Sequence, residues 1–398
     1  MIRNILTRIN FGIERRNPAI DFLRGLSIFV VVLLHFGMYY TSEVPGVPRV
    51  FSFAYWGYFA RNGYLGVSAF FVISGYLITS RSLARFQDLS LIKFDDFYSS
   101  RFARIAPPLL LLVGVNLLLY YLDEPGFQIQ NLDKFAAWEI FVGAVTMRLN
   151  LYWSPSVTGL GLGVLWSLSI EEAFYVGFPI LAKITRKLAV LVASLIGLVV
   201  YALVHRYQTS YPETFFGYFS CFDMLAFGSL AAIFQNRFPK FKTKMQKPWL
   251  NIFALICMII FYISHHDREW EVWGSSVFGP MVVLFILSAA PQGDSKMYTG
   301  WFSRLMRVMG LYCYEIYLLH IVVIQLTTHY VFPELNSTDF FKGAVDIFFF
   351  LVWGITLVIS ILIAEYFSEP ARQFCLRMYR RLHAKYLTTE TDFQVLRE

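Results

Sequence analysis

Ten stretches of this chain are apolar over lengths that approach a membrane crossing. They run approximately over 20–40, 64–81, 105–122, 164–183, 188–205, 218–235, 248–264, 273–290, 305–328 and 343–366. A helix needs about 20 such residues to cross the hydrocarbon core. The expected fold is therefore an all-α membrane protein, a polytopic bundle of about ten transmembrane helices. Pro107 and Pro108 are expected at the start of the third helix, where a missing N–H costs least. One stretch, 135–147 (FAAWEIFVGAVTM), is apolar but short and carries Glu139. As a full span it would make the count odd and invert every later loop. It is expected as a re-entrant or interfacial segment on the outer side. It belongs to a long outer stretch with Tyr152, Trp153 and Pro155, suited to a substrate mouth or lid.

The placement of charge orients the bundle. The N-terminus, the 81–104 loop, 183–187, 237–247, 296–307 and the C-terminal tail hold 26 of the 34 Lys and Arg. The alternate loops hold seven, Arg206 among them, and Arg24 lies inside a span. Basic residues gather on the cytoplasmic side of membrane proteins, so both termini are expected in the cytoplasm. Three parts follow: a cytoplasmic N-terminal segment (1–17), a membrane domain (18–371) and a cytoplasmic tail (372–398).

Composition supports this reading. Hydrophobic residues make up 57% of the chain and charged residues 15%, against about 25% charged in soluble domains. The net charge of +7 is accounted for by topology, so nucleic acid is not implied as a partner. Cys221, Cys257, Cys313 and Cys375 are widely spaced and read as packing residues, without a zinc or disulfide pattern. No small-residue cleavage site follows the first apolar run, which is expected to be retained.

Chemistry is signalled first by 21–40, DFLRGLSIFVVVLLHFGMYY. Arg24 and His35 are eleven residues apart, about three turns plus 20°, so they share one face about 16 Å apart along the axis. A cation and an imidazole on one stripe of a membrane helix are costly unless the stripe faces partners or water. His320 is expected at a depth similar to that of His35 on the ninth helix. The segment 165–175 (LWSLSIEEAFY) places Glu171 and Glu172 beside Trp166 and Tyr175. Capping by Ser167 or Ser169, with the carboxylates near the helix dipole, would account for one glutamate. Arg101 and Arg104 share a helix face, with Arg81 nearby, and suit phosphate. No Walker loop, GxSxG elbow or HExxH is present. His265-His266-Asp267 lacks helical ligand spacing, and no metal site is expected. Asn336-Ser337-Thr338 matches a glycosylation sequon, a triplet common by chance.

Arg24-x10-His35, GYLGVSAFFVISGYLI (63–78), RFARIAPP (101–108), WSLSIEEAFY and YEIYLLH, together with EYFSEPARQF (365–374), resemble the acyltransferase 3 family of integral membrane acyltransferases. The resemblance extends from residue 18 to about 375. It implies a ten-span bundle, a cytoplasmic acyl-CoA donor (acetyl-CoA above all), no metal, and a carbohydrate or lipid-linked sugar acceptor. It also implies a home in the bacterial inner membrane. It assigns Arg24 and His35 to the essential basic/histidine pair, Arg101 and Arg104 to the RxxR motif, and Glu171 to the W-S-L-x-x-E glutamate. Ser68 stands where many members carry an acidic residue.

Acyl transfer to a hydroxyl then needs a base or acyl carrier, expected as His35, with Arg24 and Glu171 completing the catalytic set. Donor phosphates are expected at Arg81, Arg101 and Arg104. His320, Tyr175 and Trp166 are expected to bind substrate, and Glu171 or His320 to orient His35. A small-molecule acceptor such as a macrolide stays open. A secondary transporter is the alternative outside enzymes, but no paired halves are visible.

Overall fold

The apolar stretches fold as helix because a helix satisfies every backbone N–H and C=O within the element, which a bilayer requires. The computed structural model describes residues 8–9, 12–13, 16–43, 60–128, 137–152, 161–264, 270–290, 296–331 and 345–395. The His265 cluster, the Asn336 sequon and the lid residues Trp153 and Pro155 lie outside them.

The helices are α1 (Pro18–Glu43), α2 (Tyr64–Phe86), α3 (Phe94–Tyr121), α4 (Ala137–Val145), α5 (Leu165–Thr185), α6 (Leu188–Gln208), α7 (Tyr218–Arg237), α8 (Pro239–Met245), α9 (Pro248–Ser264), α10 (Trp270–Ser288), α11 (Trp301–Leu311), α12 (Cys313–Val331), α13 (Val345–Ile363) and α14 (Glu369–Val395). A π-helical turn, Ala364–Ser368, joins α13 to α14. The boundary at 371/372 thus falls inside continuous helix. By length and composition six of these helices are able to cross a membrane, or eight if two bent pairs count as one span each. The ten stretches are helical, but α5, with its two glutamates, and the short apolar run of α10 stay outside that count. Among its described residues the 135–147 segment contains one helix, the nine-residue α4.

Two expectations are corrected. The ninth stretch is not one helix: α11 meets α12 at 83°. α11 buries Met306, Met309 and Gly310 and exposes Trp301, Phe302 and Leu305. An amphipathic helix at right angles to the span it precedes suits the membrane interface. Pro107 and Pro108 also do not start α3, which begins at Phe94. They lie inside it and remove the donors that the Ala103 and Arg104 carbonyls would otherwise use.

α2 is central, packing against α1, α5, α7 and α10. It approaches α7 closely because Gly75 faces the backbone of α7 and Gly228 the backbone of α2. A Cβ on Gly75 would meet the Leu225 carbonyl, and one on Gly228 the Val72 carbonyl. Small residues allow such backbone contact in membranes. Gly228→Leu is expected to cost about 3 kcal/mol by overpacking, well above the roughly 1 kcal/mol gained in helix propensity. A lower melting temperature in detergent would register it; an unchanged one would refute it.

A buried ion pair ties α6, α7 and α10 together. Arg206, expected in an outer loop, is instead 2% exposed and pairs with Asp223, which is 0% exposed, at 2.7 Å.

Candidate active site

The imidazoles of α1 and α12 meet although 285 residues separate them: His35 Nδ1 lies 3.2 Å from His320 Nε2. The rings are tilted, with centroids 4.9 Å apart. His320 is fully buried and His35 half-buried. His320 Nδ1 sits 3.1 Å from the Ile316 carbonyl oxygen and 2.8 Å from that of Tyr317. His35 Nδ1 sits 2.9 Å from the Val31 carbonyl oxygen. Of the two groups expected to orient His35, the structure brings His320 to it and not Glu171.

Glu171 serves a different network. One of its carboxylate oxygens accepts from the hydroxyls of Ser74 and Tyr175. The Arg101 guanidinium stacks over the Tyr175 ring, 4.3 Å from its centroid. The capping explanation for the glutamates fails. The N-cap of α5 is Val164, with no side-chain cap, which puts Glu171 and Glu172 in the second turn rather than the first. Ser169 donates to the Leu165 carbonyl at 2.8 Å, and Ser167 pairs with the Tyr317 hydroxyl at 2.6 Å. Trp166 is 8% exposed, packs on Phe71, Phe215 and Phe216, and itself lines neither of the cavities described below.

At the end of α1 that carries Arg24, a cavity of about 780 Å³ opens, lined by Arg8, Arg16, Arg81, Arg85, Arg101, Arg104 and Arg372 against Glu315, Glu365 and Glu369. Segments that the Lys/Arg distribution assigned to one side of the membrane meet here. Four of the arginines have carboxylate partners. Arg8 pairs with Glu365 at 3.2 Å, Arg16 with Asp21 at 2.8 Å, Arg85 with Asp96 at 3.0 Å and Arg372 with Glu369 at 2.6 Å. Arg81, Arg101 and Arg104 have no ion pair among the described residues. Burial, then the nearby Arg24 charge, lowers the Arg16 pKa to about 10 while Asp21 opposes them, so Arg16 remains a cation at neutral pH. Sequence reasoning missed Arg8, Arg16 and Arg372 as cavity residues, since their only signal is membership of the basic termini.

A narrower space of about 90 Å³ continues inward. It shares Arg81, Arg101, Arg104 and Tyr314 with the large cavity and passes Arg24, Ser74, Glu171, Tyr175 and Cys313 to reach Ser167 and Tyr317. The Tyr317 ring lies 5.8 Å from that of His320. The order from one end is thus an arginine vestibule, a polar-and-apolar channel, Tyr317, and the imidazole pair. Arg24 stands in the channel wall with its side chain 9% exposed, and its Nη1 is 3.9 Å from Asp21 and has no hydrogen-bond partner. A buried guanidinium N–H without a partner is costly, and a bound oxygen would relieve it. Among the described residues no group of His, Cys, Asp and Glu is placed to hold a metal ion.

A family model described as an acyltransferase domain, acyltransferase 3, matches residues 17–365. The chain is similar to a Staphylococcus aureus (strain MSSA476) protein with O-acetyltransferase in its name, SAS0844, at 23% identity over 90% of this chain and 58% of that protein. It is similar also to the O-acetyltransferase OatA of S. aureus (strain NCTC 8325 / PS 47), at 24% identity over 87% of this chain and 55% of OatA. The chain therefore spans little more than half the length of these relatives. No solved structure matches.

Proposed function

The chain belongs to the acyltransferase 3 family, and from that premise we propose that it is a membrane O-acyltransferase that moves an acetyl group from acetyl-CoA to a carbohydrate hydroxyl. The family and its O-acetyltransferase relatives support the reaction class. The donor reading is carried by one observation: Arg81, Arg101 and Arg104, which have no ion pair among the described residues, stand together at the mouth of the channel that runs toward the imidazole pair. Guanidinium forks match phosphate oxygens, and CoA is the phosphate-bearing acyl donor. The acceptor approaches the imidazole pair from the opposite end, as a carbohydrate or lipid-linked sugar of a bacterial envelope, with the protein in the cytoplasmic membrane.

In this mechanism Arg81, Arg101 and Arg104 hold the donor phosphates, and the pantetheine arm runs through the channel. The unpartnered Arg24 N–H donates to a donor oxygen. Glu171 holds Ser74 and Tyr175, and Tyr175 in turn supports Arg101. His35 takes the proton from the acceptor hydroxyl as its oxygen attacks the thioester carbonyl. The new C–O bond forms, the C–S bond breaks, and the departing CoA thiolate receives the proton.

Losing Arg101 and Arg104 together removes charge-assisted hydrogen bonds of about 1.5–3 kcal/mol each. A calorimetric titration of the Arg101→Ala/Arg104→Ala protein is expected to show acetyl-CoA affinity lowered by about 10²–10⁴-fold. Unchanged donor affinity would overturn the vestibule assignment. Release of CoA from acetyl-CoA by the purified wild-type protein separates this reading from a transporter.

A further inference from the structure

We propose that His320 is a positioning residue that holds His35 in the Nδ1–H tautomer and so leaves His35 Nε2 as the basic atom. The inference rests on the reading of His35 as the base and names what makes it one.

A neutral imidazole carries one N–H and one bare nitrogen. His320 Nδ1 faces two carbonyl oxygens, of Ile316 and Tyr317, at 3.1 and 2.8 Å. A bare nitrogen there would oppose two lone-pair carriers, so Nδ1 holds the proton and Nε2 is an acceptor. His35 Nδ1 lies between the Val31 carbonyl, at 2.9 Å, and His320 Nε2, at 3.2 Å. Both are acceptors, so His35 Nδ1 also holds a proton and shares it between them. Only one atom of the pair then keeps an uncommitted lone pair, His35 Nε2. The reverse assignment places bare nitrogens against three carbonyl oxygens.

A catalytic histidine is commonly fixed in this way by a carboxylate. Here no Asp or Glu forms an ion pair with either imidazole among the described residues. In a bilayer a permanent carboxylate would itself need a counter-charge. A second imidazole, anchored by its own helix backbone, supplies an acceptor without a charge. When His35 Nε2 takes the acceptor's proton, two acceptors already face the Nδ1–H of the resulting imidazolium.

The test compares three substitutions at one position in the acetyl-CoA assay with acceptor. Gln places an amide oxygen near the His320 Nε2 position, within reach of His35 Nδ1. Asn is too short to reach it, and Leu has no acceptor at all. His320→Leu and His320→Asn are expected to lose about 10²-fold in kcat with KM for acetyl-CoA unchanged. His320→Gln is expected to recover most of that loss. Melting temperature and acetyl-CoA affinity report on folding; if His320→Leu does not fold, the Gln-against-Asn difference decides. Wild-type kcat in the Asn or Leu protein, a loss confined to KM, or a folded Gln protein no better than Asn would overturn the role. His35→Gln, run beside them, separates the two readings. An active His35→Gln protein overturns the base assignment and this role with it. An inactive one beside an unimpaired His320→Asn overturns the role of His320 alone.

Discussion

His35→Ala is expected to abolish acyl transfer while leaving the protein folded, inserted and able to bind acetyl-CoA. General-base removal alone is worth about 10²–10⁴ in rate. Alanine retains no group that could carry an acyl chain either. The fold should tolerate the change because among the described residues His35 hydrogen-bonds only to a carbonyl of its own helix and to His320. One of those partners is already satisfied within α1, and the other, the buried His320 Nε2, loses its partner at a cost of about 1–3 kcal/mol. The measurement is CoA release with donor and acceptor present, with calorimetric donor binding as the control for folding. Turnover at the wild-type rate would refute the assignment. Loss of donor binding together with turnover would mean instead that His35 supports the fold.

Asp223→Ala is expected to be the most destabilising single change outside the site. Arg206 spends all five of its N–H groups inside the protein. Nε donates to the Val272 carbonyl at 2.8 Å, one terminal nitrogen to the Ser220 carbonyl and to Asp223 at 3.1 Å, and the other to Asp223 at 2.7 Å and to the Ser276 hydroxyl. Ser276 in turn donates to Asp223 at 2.5 Å. Removing the carboxylate leaves a guanidinium that is 2% exposed without its counter-charge. Breaking such a pair from one side costs about 3–5 kcal/mol, a large share of the roughly 5–15 kcal/mol that holds a typical protein folded. Thermal unfolding in detergent should show a marked fall in melting temperature. The double change Arg206→Met/Asp223→Leu should recover much of it, because both desolvated charges are then gone. A single Asp223→Ala protein that melts like wild type would refute the argument.

Arg206 counts as one of seven basic residues in the sparsely charged loops, a correct tally of the sequence. Its role as a bolt between three helices depends on Asp223 and Ser276, which are brought to it by packing. Glu171 is similar. Its spacing from Tyr175 at i,i+4 places the two on one helix face, and the hydrogen bond between them follows from helix geometry. Its second partner, Ser74, sits on another helix, and nothing local selects Ser74 over His35. The proline pair misled for a related reason. A proline near the expected edge of an apolar run reads as a helix start, but the polar turns of α3 before it remain helical and line the vestibule.

The sequence alone determined the ten helical stretches, the common face of Arg24 and His35, the clustering of basic segments and the motifs of the family. Each of these is a property of spacing, because a helix advances by a constant angle and rise whatever surrounds it. Tertiary structure alone decided that α11 turns away from α12, which arginines keep a carboxylate and which do not, and that the two histidines touch. Those outcomes depend on which helix faces meet, and the residues that meet are often more than a hundred positions apart. A side chain buried in a bilayer must take its partner from whichever helix packs beside it, so its chemistry is settled by packing.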